Sequence, residues 1–178
     1  MASIITHPVV PIAIAAIFPR KSVTPAVAIS GAICSIVPDL DVIGLGFGID
    51  YGDMLGHRGL THSILFAFIL AAFLTIILAR HDRRARLPVF LFLFLSTLSH
   101  AILDAMTNGG LGVALFAPFD NTRYFLPWRP IVVSPIGIDR FLSGWGLRVL
   151  GSELLWIWIP SAIVYGVARY YKKEVWLR

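Results

Sequence analysis

Charge is scarce in this sequence. Asp, Glu, Lys and Arg make up 14% of its 178 residues, against about 25% in soluble domains, while 57% are hydrophobic. With a mean hydropathy of +0.80, that balance excludes an ordinary soluble domain and indicates an integral membrane protein. Cysteine is nearly absent. A single Cys34 in an apolar run excludes an internal disulfide, a thiolate metal cluster and a paired-cysteine redox motif. Internal repeats and low-complexity tracts are also missing. No basic residue precedes the first apolar segment; Arg20 and Lys21 follow it, the reverse of a cleavable signal peptide, so a retained helix is expected. The formal charge of +5 raises the question of nucleic acid. The basic residues lie mainly at the ends of apolar segments, where topology explains them, and no nucleic-acid partner is expected.

What is present is apolar and segmented. Five stretches stand out, roughly 4–18, 23–37, 63–79, 87–106 and 154–170. A span takes about 20 mostly apolar residues, about 17 at least, so the third and fourth qualify and the others are short. The expected fold is all-α: one membrane-embedded domain over residues 1–178, polytopic, with about five transmembrane helices. A long external loop, 108–151, joins helices four and five. It carries Pro118, Pro127, Pro130 and Pro135 with Tyr124, Phe125, Trp128 and Trp145, aromatics suited to a membrane interface. Arg123, Arg129 and Arg140 make it either a lid over a lipid headgroup or a plain interfacial loop.

Orientation follows from the basic residues. Arg20, Lys21, Arg80, Arg83, Arg84, Arg86, Arg169, Lys172, Lys173 and Arg178 fall on one side of a five-helix arrangement. Arg58, Arg123, Arg129, Arg140 and Arg148 fall on the other. Ten against five puts the first side in the cytoplasm and the N-terminus outside.

Most of the five histidines, with three of the eight aspartates, crowd into short motifs. These are Thr6-His7, Pro38-Asp39-Leu40-Asp41, His57-Arg58-Gly59-Leu60-Thr61-His62-Ser63 and His100-Ala101-Ile102-Leu103-Asp104. All land on the outer side, although Lys and Arg alone assign that side. Imidazole and carboxylate suit zinc and related divalent ions, and ionisable groups at membrane depth are costly enough to mark function.

Each motif also has a plainer reading. His100 and Asp104, four apart, share a helix face and would hold either a metal or a neighbouring helix. Pro38 suggests an extended segment in which Asp39 and Asp41 lie side by side, repelling each other unless a cation intervenes, or a solvated helix end. His57 and His62, five apart, need the Gly59 turn to converge; Thr61 is a candidate helix cap. Histidines in a loop are otherwise commonly exposed. His7 matters only through its neighbours, and His81, among Arg80, Asp82 and Arg83, reads as solvated.

Together these four motifs resemble the YdjM family of bacterial inner-membrane proteins, described as metal-dependent hydrolases. The likeness covers about residues 3–120, and the His-Arg-Gly-x-Thr-His-Ser string at 57–63 is its most specific part. It implies His7, Asp39, Asp41, His57, His62, His100 and Asp104 as metal ligands, with Arg58 and Ser63 adjacent. A fainter likeness to zinc-dependent phospholipase C, at the level of chemistry, suggests phosphoesters.

The expected function is therefore hydrolysis of a phosphoester in a membrane lipid or lipid-linked substrate, at the outer face of the inner membrane. Seven ligands exceed the four of a mononuclear zinc site and suit two ions clamping the attacking and leaving oxygens. Asp41 or Asp104 is the candidate proton acceptor, and Arg58 the stabiliser of phosphoryl charge. The rivals are a divalent-cation transporter and a non-catalytic metal-binding or structural membrane protein. Transport sites usually lie at the bilayer midplane, whereas these residues gather near one face.

Overall fold

The computed structural model describes residues 1–176; Arg178, counted above among the cytoplasmic charges, lies outside them. The chain is helical: α1 (Val9–Ala15), α2 (Pro25–Cys34), α3 (Ile64–Leu78), α4 (Arg83–Ala105), α5 (Ile138–Phe141), α6 (Gly144–Glu153) and α7 (Ile159–Trp176). Two 3₁₀ helices, Val37–Phe47 and Leu60–His62, carry most of the motif residues between α2 and α3. Among the described residues no strand forms, only isolated bridges pairing Thr107 with Ile131 and Val113 with Tyr124.

Local chemistry sets the helix starts. Ser63 accepts a hydrogen bond from Phe66 N at 3.0 Å and begins α3, so it, rather than Thr61, is the cap. Thr24 caps α2 ahead of Pro25 at the first helical position, and Asp82 caps α4 through Arg84 N at 2.9 Å. Ser143 caps α6, so the last helical rod begins at Gly144, ten residues before the expected boundary. A π turn, Leu154–Trp158, joins α6 to α7. Pro160 just beyond it offers no N–H and crowds the carbonyl four residues back, which a widened turn relieves.

The interior is more polar than the surface. On α3 the buried residues are small, Ala67, Ala71 and Thr75, while Phe68, Phe73 and Ile76 are exposed, Ile76 by 71%. Small residues inward and large apolar residues outward is the pattern of helices packed in lipid. α4 is the central element, packing against α1, α2, α3 and both 3₁₀ helices. It packs most extensively on α3, and it approaches α2 tightly at one point, where a Cβ on Gly31 would sit 2.4 Å from Phe92. Val27, Cys34, Val89, Phe92 and Leu93 form the apolar core there.

Among the described residues, three segments are long and apolar enough to cross a membrane: Pro25–Phe47, Arg83–Ala105 and Gly144–Lys173. The expected count of five is not met by length. α3 has 15 residues and rises about 22 Å against a hydrocarbon core of about 30 Å. α1 has only seven, bounded by Pro8, with Pro11 in its first turn. The expected external loop is partly helical, since α5 and α6 occupy its second half; its first half folds over one end of the bundle.

Candidate metal centre

At that end of the bundle, five parts of the chain converge: the segment before α1, both 3₁₀ helices, the last turns of α4 and the chain leaving α4. His7, Asp39, His57, Arg58, His62, His100 and Asp104 are all buried, and Asp39 is the most exposed at 6%. Asp41 is half-buried.

His100 and His62 stand at the centre. The Nδ1 of His100 lies 2.7 Å from the carbonyl of Ser35, an acceptor only, so that nitrogen carries the proton and Nε2 keeps its lone pair. The Nδ1 of His62 lies 3.2 Å from Asp41 Oδ2 and 3.1 Å from Thr61 Oγ1. With its proton on that carboxylate side, His62 also offers a lone pair at Nε2. The two Nε2 atoms are 2.9 Å apart. Two lone pairs cannot face each other at that distance, so a proton or a metal ion must stand between or beside them.

Carboxylates complete the surroundings. Asp39 Oδ1 is 3.4 Å from His100 Nε2 and 3.7 Å from His62 Nε2, and neither Asp39 oxygen has a hydrogen-bond partner. Asp104 Oδ2 is 3.7 Å from His62 Nε2 and is already paired with Arg58 Nε at 3.0 Å, so the orphaned oxygens here are those of Asp39. Buried carboxylate oxygens without donors are costly, and a cation removes the cost. Burial alone would drive His62 to shed a proton; the carboxylates of Asp39 and Asp41 outweigh it and hold its pKa above the ordinary value. Donor atoms from Asp39, His62, His100 and Asp104 all lie within 4.8 Å of one another. This two-imidazole, two-carboxylate set fits a divalent ion such as zinc.

Asp39 and Asp41 do not lie side by side as an extended segment would place them. In the 3₁₀ helix they diverge, and they flank opposite edges of the His62 ring. Pro38 does not force extension, because it occupies the first turn, where no N–H is needed. Asp41 is fully engaged. Its Oδ1 takes His57 Nδ1 at 2.7 Å, and its Oδ2 accepts from Arg58 N at 3.1 Å and Thr61 Oγ1 at 2.6 Å. Asp41, His57 and His62 form a second group of close donor atoms.

Arg58 and His7 take peripheral places. The backbone of Arg58 is left-handed, at φ 66°, and this turns its side chain inward. Its guanidinium pairs with Asp104 through Nε at 3.0 Å and donates to Gly109 O and Thr107 Oγ1, each at 3.0 Å. Gly59 beside it is required: a Cβ there would stand 2.1 Å from Met54 O. His7 stacks on His100 with ring centroids 3.8 Å apart, and its Nε2 lies 3.7 Å from Asp104 Oδ1. Neither His7 nitrogen has a partner. His81 is exposed, as expected of a solvated loop.

Sequence reasoning missed Glu153. This fully buried carboxylate accepts from the amide of Ser3, from Ser3 Oγ at 2.6 Å and from Thr6 Oγ1 at 2.8 Å. It thereby ties the last rod to the segment that supplies His7 and the Ala2 amide, which donates to Asp104 Oδ1 at 2.8 Å. A lone glutamate in an apolar stretch was the available signal. Arg123, expected in a headgroup lid or a plain interfacial loop, has a further role that sequence reasoning did not find. It clamps the covering segment by donating to the carbonyls of His57 at 2.8 Å and of Tyr51 and Asp53 at 3.0 Å.

Residues 1–175 match the model of a family described as YdjM inner membrane protein. The chain is 38% identical over 167 residues to inner membrane protein YbcI of Escherichia coli (strain K12), covering 94% of this chain and 96% of that protein. No solved structure matches.

Proposed function

The chain belongs to the YdjM family of inner membrane proteins, and from that membership and its buried cluster we propose a membrane-bound, metal-dependent hydrolase. Its substrate is a phosphoester in a lipid or lipid-linked molecule, reached from the outer face. The observation that carries the metal is the 2.9 Å approach of the His62 and His100 Nε2 atoms, each with its Nδ1 committed elsewhere. Zinc would be held by those nitrogens with Asp39 and Asp104. A bound divalent ion supplies Lewis-acid polarisation of a phosphoryl oxygen and acidifies water.

The protein groups divide the remaining work. Ser35 O and Asp41 hold the two imidazoles in the tautomer that leaves Nε2 free, the usual task of partners behind a metal ligand. Asp41 also orients His57, whose ring centroid is 5.5 Å from that of His62. With Nδ1 on the carboxylate, His57 Nε2 is the basic atom, so the His57–Asp41 pair accepts the proton. Arg58 anchors Asp104, and its charge favours an anionic phosphoryl group nearby. His7 supports His100 by stacking. Asp41, His57 and His62 would hold a second ion only in place of this proton-accepting and orienting role.

The near-complete burial of the cluster favours one other reading, a closed metal site without chemistry. Elemental analysis of detergent-purified protein, together with phosphate release from a panel of membrane lipids, separates the two. Metal with release supports the hydrolase; metal without release from any lipid supports the closed site; neither overturns both.

A further inference from the structure

A second cavity lies at the other end of α1, away from the metal centre. His7 precedes that helix; Arg20 follows it. The cavity has a volume of about 460 Å³, within the roughly 300–1,000 Å³ of small-ligand sites. Its walls come from α1, the turn into α2, the start of α2 and the late turns of α7. They include Ile12, Ala16, Val23 and Tyr165. Three cations line it as well: Arg20, Arg169 and Lys172. Among the described residues lining it, none is acidic. Lys172 is fixed there by donating its ammonium hydrogen to Phe18 O, at the end of α1.

Sequence reasoning used Arg20, Arg169 and Lys172 only as markers of topology. A charge that merely marks topology has no need of a shared cavity. Three converging cations on an apolar recess match a molecule that is anionic at one end and hydrocarbon at the other. A soluble polyanion would use the cations but leave the apolar walls wet, and a zwitterionic lipid would leave the charge unbalanced. Basic pockets between helices on the cytoplasmic side are suited to anionic headgroups. We propose that this cavity binds an anionic phospholipid, with the phosphate held by Arg20, Arg169 and Lys172 and an acyl chain along α1 and α7. The site is independent of the hydrolase reading and of the metal.

The test uses detergent-purified full chain stripped of lipid, with binding of phosphatidylglycerol and phosphatidylcholine followed by native mass spectrometry. The wild type should retain phosphatidylglycerol over phosphatidylcholine. The variant R20Q/R169Q/K172Q should lose affinity for phosphatidylglycerol by on the order of a hundredfold, about fivefold for each basic residue. R80Q/R83Q/R84Q removes the same charge elsewhere and should keep the wild-type preference. Ala16→Trp, which fills the recess but keeps the cations, should also lower retention. Glycerol phosphate, the headgroup without chains, should not compete. Equal loss in both triple variants, or full competition by glycerol phosphate, would overturn the site, as would equal retention of the two lipids by the wild type.

Discussion

Glu153 Oε2 lies 2.8 Å from the hydroxyl of Thr6, a contact between residues 147 apart in sequence. That bond joins the last helical rod to the segment carrying His7, and it sits one residue from the metal centre. Glu153→Ala would strand the Ser3 amide and the Thr6 hydroxyl without an acceptor, leaving the Ser3 hydroxyl only Thr6 Oγ1 at 3.2 Å, and should destabilise the protein by about 3 kcal/mol, measured as a lower Tm in detergent. Metal affinity should fall as well, since the Ala2 amide and His7 lose their anchor. An unchanged Tm and unchanged metal titration would show the network to be dispensable.

The central pair makes a sharper claim. His62 and His100 are 38 residues apart in sequence yet face one another at Nε2. His62→Ala or His100→Ala should each remove a ligand and abolish tight metal binding, whereas exposed His81→Ala should not. Asp41→Asn keeps the shape but weakens the partner behind His62, and a loss of about 10–100-fold in metal affinity is expected. Elemental analysis and competition with a chelator read all four.

Much of this was legible in the sequence because each motif is short and chemically distinctive. Charge bias alone put His7, Asp39, Asp41, His57, His62, His100 and Asp104 at one depth, and the fold gathers them at one end. Backbone detail was less legible. Pro38 restrains the residue before it but is equally at home in a helix's first turn, so extended and 3₁₀ forms of 37–41 compete closely. Thr61 and Ser63 are both good caps; the difference is that Thr61 is taken by Asp41, a tertiary contact. The spanning count of five is not confirmed for a similar reason, since apolar composition does not say where Pro8 and Ser63 start a helix.

Helix packing offers a test remote from the site. Gly31 has no room for a Cβ, which would meet Phe92 at 2.4 Å. Gly31→Ala should cost about 1–3 kcal/mol through overpacking between α2 and α4. Combining it with Phe92→Leu should recover part of that loss, read as Tm. A Tm as low as the sum of the single variants would show that this contact is not the source of the strain.

Metal uptake should depend on pH with a definite sign. Without an ion, the carboxylates beside His62 raise its pKa above the ordinary value, so a proton competes for Nε2. Ligation requires the neutral ring, so affinity should rise with pH by about tenfold per unit while one proton is displaced, up to that raised value, and level off above it. His62→Gln should flatten the slope. Isothermal titration between pH 6 and pH 9, a window set by the ordinary histidine pKa of about 6.5, checks this.

Chemistry and transport differ in what a single reconstituted preparation will show. A hydrolase should release phosphate from a lipid only with a divalent ion present, lose that activity to a chelator and regain it on adding the ion back. Arg58→Lys keeps a charge beside Asp104 but loses the planar fork that also reaches Thr107 and Gly109. Turnover should therefore fall while most of the metal is kept. His57→Gln should lower turnover further, by about 10²–10⁴-fold if this ring accepts the proton, and leave the four donors of the central cluster in place. A transporter has a different signature: ion flux into vesicles, sensitive to His62 and His100 but indifferent to His57, and no cleavage. The cluster lies at one end of the helices, and the opposite end presents the basic residues Arg20, Arg169 and Lys172, a poor exit for a divalent cation. Flux without cleavage across a broad lipid panel would nonetheless sink the hydrolase reading and make the same four donors a transport site.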